Sequence, residues 1–172
     1  RLRLNMLTIW NDAVPCNIEA ICDYAHARGI RILLGFAWGW GDCGRLDIRK
    51  PAEAARLSDE VVGRWQREYA ELPIDGIYFQ TQTEHQEAVG RDGRSMARVA
   101  CEFVHATSAR ILEIKPDLLI QFGLHATSIQ DHVGDLAGLD PRVVIVWEDA
   151  GVIPWSYDAG LTRPSPPGAS AA

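Results

Sequence analysis

The chain has 172 residues, of which 47 % are hydrophobic and 23 % charged, with six more acidic than basic side chains. That apolar content excludes a disordered chain, and no apolar run approaches the ~20 residues that cross a bilayer as a helix. The acidic balance, with a pI of about 5.3, excludes the clustered basic surface that binds nucleic acid. The length suits one domain with a sizeable core, yet falls short of the ~250 residues typical of a complete eight-stranded α/β barrel.

Taken in chain order, residues 2–10 read as a strand. A helix follows from Asn17 to Arg28, with Ile18, Ile21, Cys22 and Ala25 on one face and Gly29 as its stop. Ile30 to Phe36 is a near-continuous apolar run, as in a strand covered on both sides, and a glycine-rich loop follows over Gly39–Gly44. The spacing predicts a long helix over 52–71, with Ser58, Val61, Val62, Trp65, Tyr69 and Leu72 together. A third strand runs from Asp75 to Thr83. Ser95 is placed to cap a helix in which Met96, Val99, Phe103, Thr107, Ile111 and Ile114 share a face, and Lys115-Pro116 ends it. A fourth strand (118–124), a short helix (130–139) and a fifth strand (143–147) complete the order. Residues 1–160 form the predicted domain, and the Pro/Ser/Ala-rich residues 161–172 are expected to be disordered.

Alternating strands and helices specify parallel β-α-β units. The order suits either a self-contained doubly wound sheet or five consecutive units of a barrel. No G-x-G-x-x-G or G-x4-G-K-[ST] opens a helix, so nothing points to a nucleotide site. The strand faces favour the barrel. Tyr78, Gln80, Gln82 and Glu84 alternate with Ile77, Phe79, Thr81 and Thr83, and Gln121, Gly123 and His125 alternate with Ile120, Phe122 and Leu124. A sheet between two helix layers would be apolar on both faces, whereas a barrel lumen accepts polar side chains near its active end. The fold class is therefore α/β, a partial (β/α)8 barrel of about five units.

Function in parallel α/β folds sits at the C-terminal ends of the strands. Those ends read Trp10-Asn11-Asp12, Trp38-Gly39-Trp40, Gln82-Thr83-Glu84-His85, His125-Ala126-Thr127 and Trp147-Glu148-Asp149. Five of the six tryptophans, Trp155 included, lie at or beyond such ends, and only Trp65 falls within a helix. Tryptophan rings beside carboxylates suit a carbohydrate, which offers an apolar C–H face to the ring and hydroxyls to Asn, Asp, Gln and His. A glycosidase needs one carboxylic acid to protonate the leaving oxygen and a second as nucleophile or base. Glu84 is the first choice for the acid. Glu148 or Asp149 is the second carboxylate, and the shared face of Val144, Val146 and Glu148 tips the choice toward Glu148.

Of the histidines, His26, His105 and His132 fall on helical stretches as surface or packing residues, while His85 and His125 end strands. Glu84, His125 and Glu148 could also make a divalent-metal site, but no H-x-H or H-E-x-x-H spacing supports it, so no metal or other cofactor is assigned. Cys16, Cys22, Cys43 and Cys101 show no paired spacing. Cys22 and Cys101 are expected as buried thiols.

The run Gly29-Ile30-Arg31-Ile32-Leu33-Leu34, then Glu71-Leu72-Pro73-Ile74-Asp75-Gly76-Ile77-Tyr78-Phe79 leading to Thr83-Glu84-His85-Gln86, resembles the central part of glycoside-hydrolase barrels of the α-glucuronidase/hexosaminidase type. In the α-glucuronidase pattern a strand after an I-P-D-x-G-G turn ends in Ser-Glu-Gly-Gln, whose glutamate is the general acid. The resemblance implies that role for Glu84 and makes the five strands similar to the second through sixth of the barrel. Three departures stand out. His85 replaces the glycine, Gln82 stands for an aspartate, and Gly123-Leu124-His125 lacks the family's Trp-Arg element. The segments 121–128 and 146–149 look more like uncharacterised bacterial sugar-hydrolase-like proteins.

The sequence thus leads to a glycoside-hydrolase-like barrel acting on a carbohydrate. Its proposed contacts are Trp10, Asn11, Asp12, Trp38, Trp40, Gln82, His85, His125 and Trp147. The alternatives are a metal-dependent sugar isomerase or lyase, and a non-catalytic carbohydrate-binding or self-assembling barrel fragment. The first residues, Arg1-Leu2-Arg3-Leu4, carry no initiator Met and no signal-peptide pattern. The expectation is a cytoplasmic piece of a longer enzyme, completed by the rest of its barrel or by another copy.

Overall fold

The computed structural model describes residues 4–10, 13–36, 47–79, 93–125 and 130–148. Strands β1 (Met6–Ile9), β2 (Arg31–Phe36), β3 (Gly76–Phe79), β4 (Leu119–His125) and β5 (Val143–Glu148) alternate with helices α1 (Ile18–His26), α2 (Pro51–Glu68) and α3 (Met96–Ile114). Every strand pair is parallel, and the sheet order is β1-β2-β3-β4-β5. A doubly wound sheet reverses its strand order at a switch point, and this order never reverses. The doubly wound alternative is excluded. The architecture is an arc of a (β/α)8 barrel.

Each helix forms where its pattern predicts. Gly29 takes φ +70° after α1, a conformation that glycine adopts without a Cβ penalty. Pro51 opens α2, where its missing N–H is no loss. Ser95 caps α3, its side chain accepting from the Arg98 backbone N–H at 3.0 Å. Among the described residues no helix is long and apolar enough to cross a membrane.

The core lies between the helices and the convex side of the sheet. It is built from alternate strand residues: Ile32, Leu34 and Phe36, then Ile77 and Phe79, then Ile120, Phe122 and Leu124. These meet Leu57, Val61, Trp65 and Tyr69 of the α2 region and Ala97, Ala100, Val104 and Ile111 of α3. Phe36 packs edge-on to both Tyr69 and Phe79, with centroids 5.0 and 5.5 Å away. Burial of each such side chain stabilises the fold by roughly 1.5–3 kcal/mol. Cys22 and Cys101 are buried as predicted, and burial pushes the Cys101 thiol up to about 11. A thiol so raised is not a nucleophile at neutral pH. Cys16 is exposed.

The short helix expected over 130–139 is present as a 3-10 helix, Gln130–Gly138, with non-helical dihedrals at His132. One expectation needs correction. Ile114, assigned to the buried face of α3, is 47 % exposed, since it lies in the last turn. His26 lies at the surface, as expected, and has a partner. Its Nε2 lies 2.8 Å from Asp75 Oδ2, which also accepts the Ile32 backbone N–H at 2.7 Å. The Asp75 main chain bonds to Ile32 and Leu119 in turn, so one carboxylate ties α1, β2 and β3 together at the N-terminal end of the sheet.

Asp140 does similar work before β5. Its carboxylate accepts from the Arg142 backbone and guanidinium, which hold it down at about 2. A carboxyl whose folded value is below its unfolded one, about 3.9, contributes stability that is complete above that value and is lost as pH falls toward 2. Asp140→Asn is expected to lower stability by roughly 1 kcal/mol at pH 7. In urea unfolding the gap between variant and wild type should narrow progressively below pH ~4. Gly76 supplies a second test. A Cβ there would lie 2.8 Å from Leu119 Cβ and 2.9 Å from Leu33 Cγ and would press on the Leu119 carbonyl oxygen. Gly76→Ala should therefore cost about 1–3 kcal/mol in the same measurement.

Candidate functional site

The concave side of the sheet is assembled row by row through the parallel register. Leu33 pairs with Gly76 and Gly76 with Leu119, so the two leucines close over the glycine between them. In the next row Gly35 pairs with Tyr78, Tyr78 with Gln121, and Gln121 with Val144. Trp10, one residue beyond the pair Ile9↔Leu34, falls alongside Gly35. With no side chain at Gly35, the rings of Trp10 and Tyr78 meet across β2, their centroids 5.2 Å apart and their planes inclined at 45°. Alternation of large and small residues between neighbouring strands is how a barrel interior fills.

Contacts also reach across the arc. Thr8 on β1 donates from Oγ1 to Gln121 Oε1 on β4 at 3.3 Å, and Gln121 Nε2 lies 3.3 Å from Met6 Sδ. In a flat sheet, strands three places apart are about 14 Å apart. The bond therefore needs a curved sheet, with Thr8 and Gln121 facing each other over the concave side. Tyr78 is buried, and its hydroxyl has no hydrogen-bond partner among the described residues.

The last rows lead to the predicted site. Gly123 pairs with Val146, Leu124 with Trp147 and His125 with Glu148. His125 and Glu148 are thus register neighbours at the C-terminal rim, while Trp147 falls in the row of Leu124. Trp10 is 55 % exposed at the end of β1. Glu84, Asp149, Asn11, Asp12, Trp38, Trp40, Gln82 and His85 lie outside the described residues, as do Gln80, Cys43, Trp155 and the 161–172 tail. Of a metal set built from Glu84, His125 and Glu148, the register brings two positions together.

Sequence reasoning did not single out Tyr78, Thr8 or Met6. For Tyr78 the signal was present, because it shares the strand face of Gln80, Gln82 and Glu84. The Thr8–Gln121 pairing had no local signal, being a product of curvature. A separate cavity of about 410 Å³ lies between α2 and α3, outside the sheet, floored by Ile48, Ala54, Val99 and Phe103. Arg110 there is bound to Ser58 and Asp59, and Arg94 to Glu102. It is a groove between packed helices, lined by no strand residue.

No protein-family model matches the chain, and no curated protein does. Among solved structures it is similar to a "Family GH13_31 enzyme", with TM-score 0.50 and 13 % identity over 84 % of this chain and 45 % of that one. It is also similar to an endo-1,4-beta-mannanase from Eisenia fetida, with TM-score 0.46 and 12 % identity, covering 80 % of this chain and 50 % of that one. A third is the catalytic domain 2 of the Group II chitinase of Ostrinia furnacalis, with TM-score 0.40, 17 % identity and coverages of 75 % and 34 %. The fold is that of part of an α/β barrel. The chain spans about half the length, or less, of these structures.

The cross-arc bond yields a direct test by double-mutant cycle. Thr8→Val and Gln121→Ala should each cost about 0.5–1.5 kcal/mol in urea unfolding. Their combination should cost less than the sum by about 0.5 kcal/mol or more. Strict additivity would separate the two side chains.

Proposed function

We propose that this chain is the part of a glycoside-hydrolase-like barrel that carries the acid/base carboxylates, acting on a carbohydrate at the C-terminal rim of the sheet. The observation that carries the reading is the rim itself. An unreversed parallel arc directs the C-terminal ends of its five strands to one side, and in the sequence those ends run into residues rich in Trp, Asp, Glu and His.

In this reading Glu84 is the general acid, protonating the glycosidic oxygen as the bond to the anomeric carbon breaks. Glu148 is the second carboxylate, attacking that carbon directly or removing a proton from the attacking water, and Asp149 is its rival. A separation of about 5–5.5 Å between the two carboxyls would give retention of configuration, and about 6.5–9.5 Å inversion. Trp10, Trp38, Trp40 and Trp147 supply rings for the sugar, while Asn11, Asp12, Gln82, His85 and His125 supply hydroxyl partners. The sequence alternation with Val144 and Val146 supports Glu148 over Asp149.

The likeness to glycoside-hydrolase barrels supports the general class, while the α-glucuronidase type rests on the sequence motifs alone. The outer strands bear exposed apolar side chains, Leu7 on β1 and Val144 and Ile145 on β5. Uncovered edges of this kind invite further pairing, which supports completion by the remaining barrel units or by another copy. One observation favours a second reading, the metal-dependent isomerase or lyase: His125 and Glu148 are register neighbours.

The experiment is hydrolysis of a panel of aryl glycosides, uronides included, by the wild type, Glu84→Gln, Glu148→Gln and Asp149→Asn. Glu84→Gln and Glu148→Gln should fall by about 10²–10⁴-fold, and Asp149→Asn much less. Wild-type activity in Glu84→Gln would remove the proposed acid. Activity abolished by a chelator and restored by a divalent cation would favour the metal reading.

A further inference from the structure

We infer that Tyr78 is a positioning residue, holding the Trp10 ring as the platform on which a pyranose oligosaccharide lies by its C–H face. This rests on the carbohydrate reading above and adds to it a residue and a mode of binding.

Trp10 follows the last paired residue of β1, so the sheet ladder no longer fixes it. Its indole is nevertheless seated, with one side against Tyr78 at 5.2 Å and more than half of the residue open to solvent. Tyr78 itself is only 3 % exposed. It belongs to the concave row Gly35–Tyr78–Gln121, whose members are fixed by strand pairing on both sides. A rigid buried ring thus supports an exposed one. Gly35, the register partner of Tyr78, brings no side chain to the row between the two rings.

An open aromatic face invites an apolar ligand surface. The carbohydrate reading supplies such a surface in the C–H face of a pyranose. Seating the ring in advance also reduces the side-chain entropy lost on binding. The Tyr78 hydroxyl has no partner among the described residues, so the ring gives the support and phenylalanine should replace it.

The test uses calorimetric titration of the whole chain with cellotetraose, mannotetraose and N-acetylchitotetraose, together with near-UV circular dichroism and thermal unfolding. At least one sugar should bind the wild type. Tyr78→Phe should keep that affinity within about twofold and keep the coupled Trp–Tyr dichroic signal. Tyr78→Leu and Trp10→Ala should each weaken binding at least tenfold and lose the signal. Unchanged binding in Tyr78→Leu or in Trp10→Ala would overturn the inference and leave the carbohydrate reading standing. No wild-type binding to any of the three would overturn the platform, while the glycoside panel above decides the carbohydrate reading separately. Should Tyr78→Leu fail to fold, Tyr78→Phe and Trp10→Ala decide. Retained binding in the first with loss in the second supports the platform. Loss in Tyr78→Phe at unchanged thermal stability overturns it, because the hydroxyl would then be the group that matters.

Discussion

Side chains on the first and fourth strands of a sheet can touch only if the sheet between them bends. The Thr8–Gln121 hydrogen bond and the Gln121–Met6 contact fix that bend here, and the rest of the molecule follows from it. Curvature gives the sheet a convex side, where α2 and α3 cover Ile32, Leu34, Phe79 and Phe122, and a concave side that is narrower and holds fewer large residues. Gly76 lets Leu33 and Leu119 meet, and Gly35 falls between Trp10 and Tyr78. Small and large residues are therefore placed by the geometry of the arc.

The two ends of the sheet are chemically different. At the N-terminal end Asp75 gathers His26, the Ile32 N–H and the Leu119 N–H into one hydrogen-bonded knot. Its groups all satisfy one another, and it serves stability. At the C-terminal end lie an exposed Trp10 and, side by side in the register, positions 125 and 148 with His and Glu. This polarity is the usual division of labour in α/β barrels, and it is why the strand ends, not the groove between α2 and α3, carry the functional proposal.

Much of this was legible in the residues themselves. The run Ile30–Phe36 and the spaced apolar residues of 96–111 announce a buried strand and an amphipathic helix, and Ser95 and Gly29 mark boundaries where they are found. Parity on β4 correctly separated Gln121 from Ile120 and Phe122. Other features were hidden because they arise only in three dimensions. Nothing near Thr8 points to Gln121, 113 residues away. His26 looked like any polar residue on a helix until Asp75 came into reach. The kink at His132 inside 130–138 leaves no trace in a helical pattern. For Glu84 and the tryptophans at 38 and 40, the case remains chemical: carboxylates and indoles at strand ends suit a sugar.

The concave arc is the claim on which every functional statement depends, and nuclear Overhauser contacts in isotope-labelled protein test it most directly. Cross-peaks between the Thr8 methyl and the Gln121 side-chain amide are predicted, alongside the ordinary backbone contacts between neighbouring strands. Strand-pairing contacts in the order β1-β2-β3-β4-β5 without the Thr8–Gln121 cross-peaks would mean an open, flatter sheet and would contradict the account.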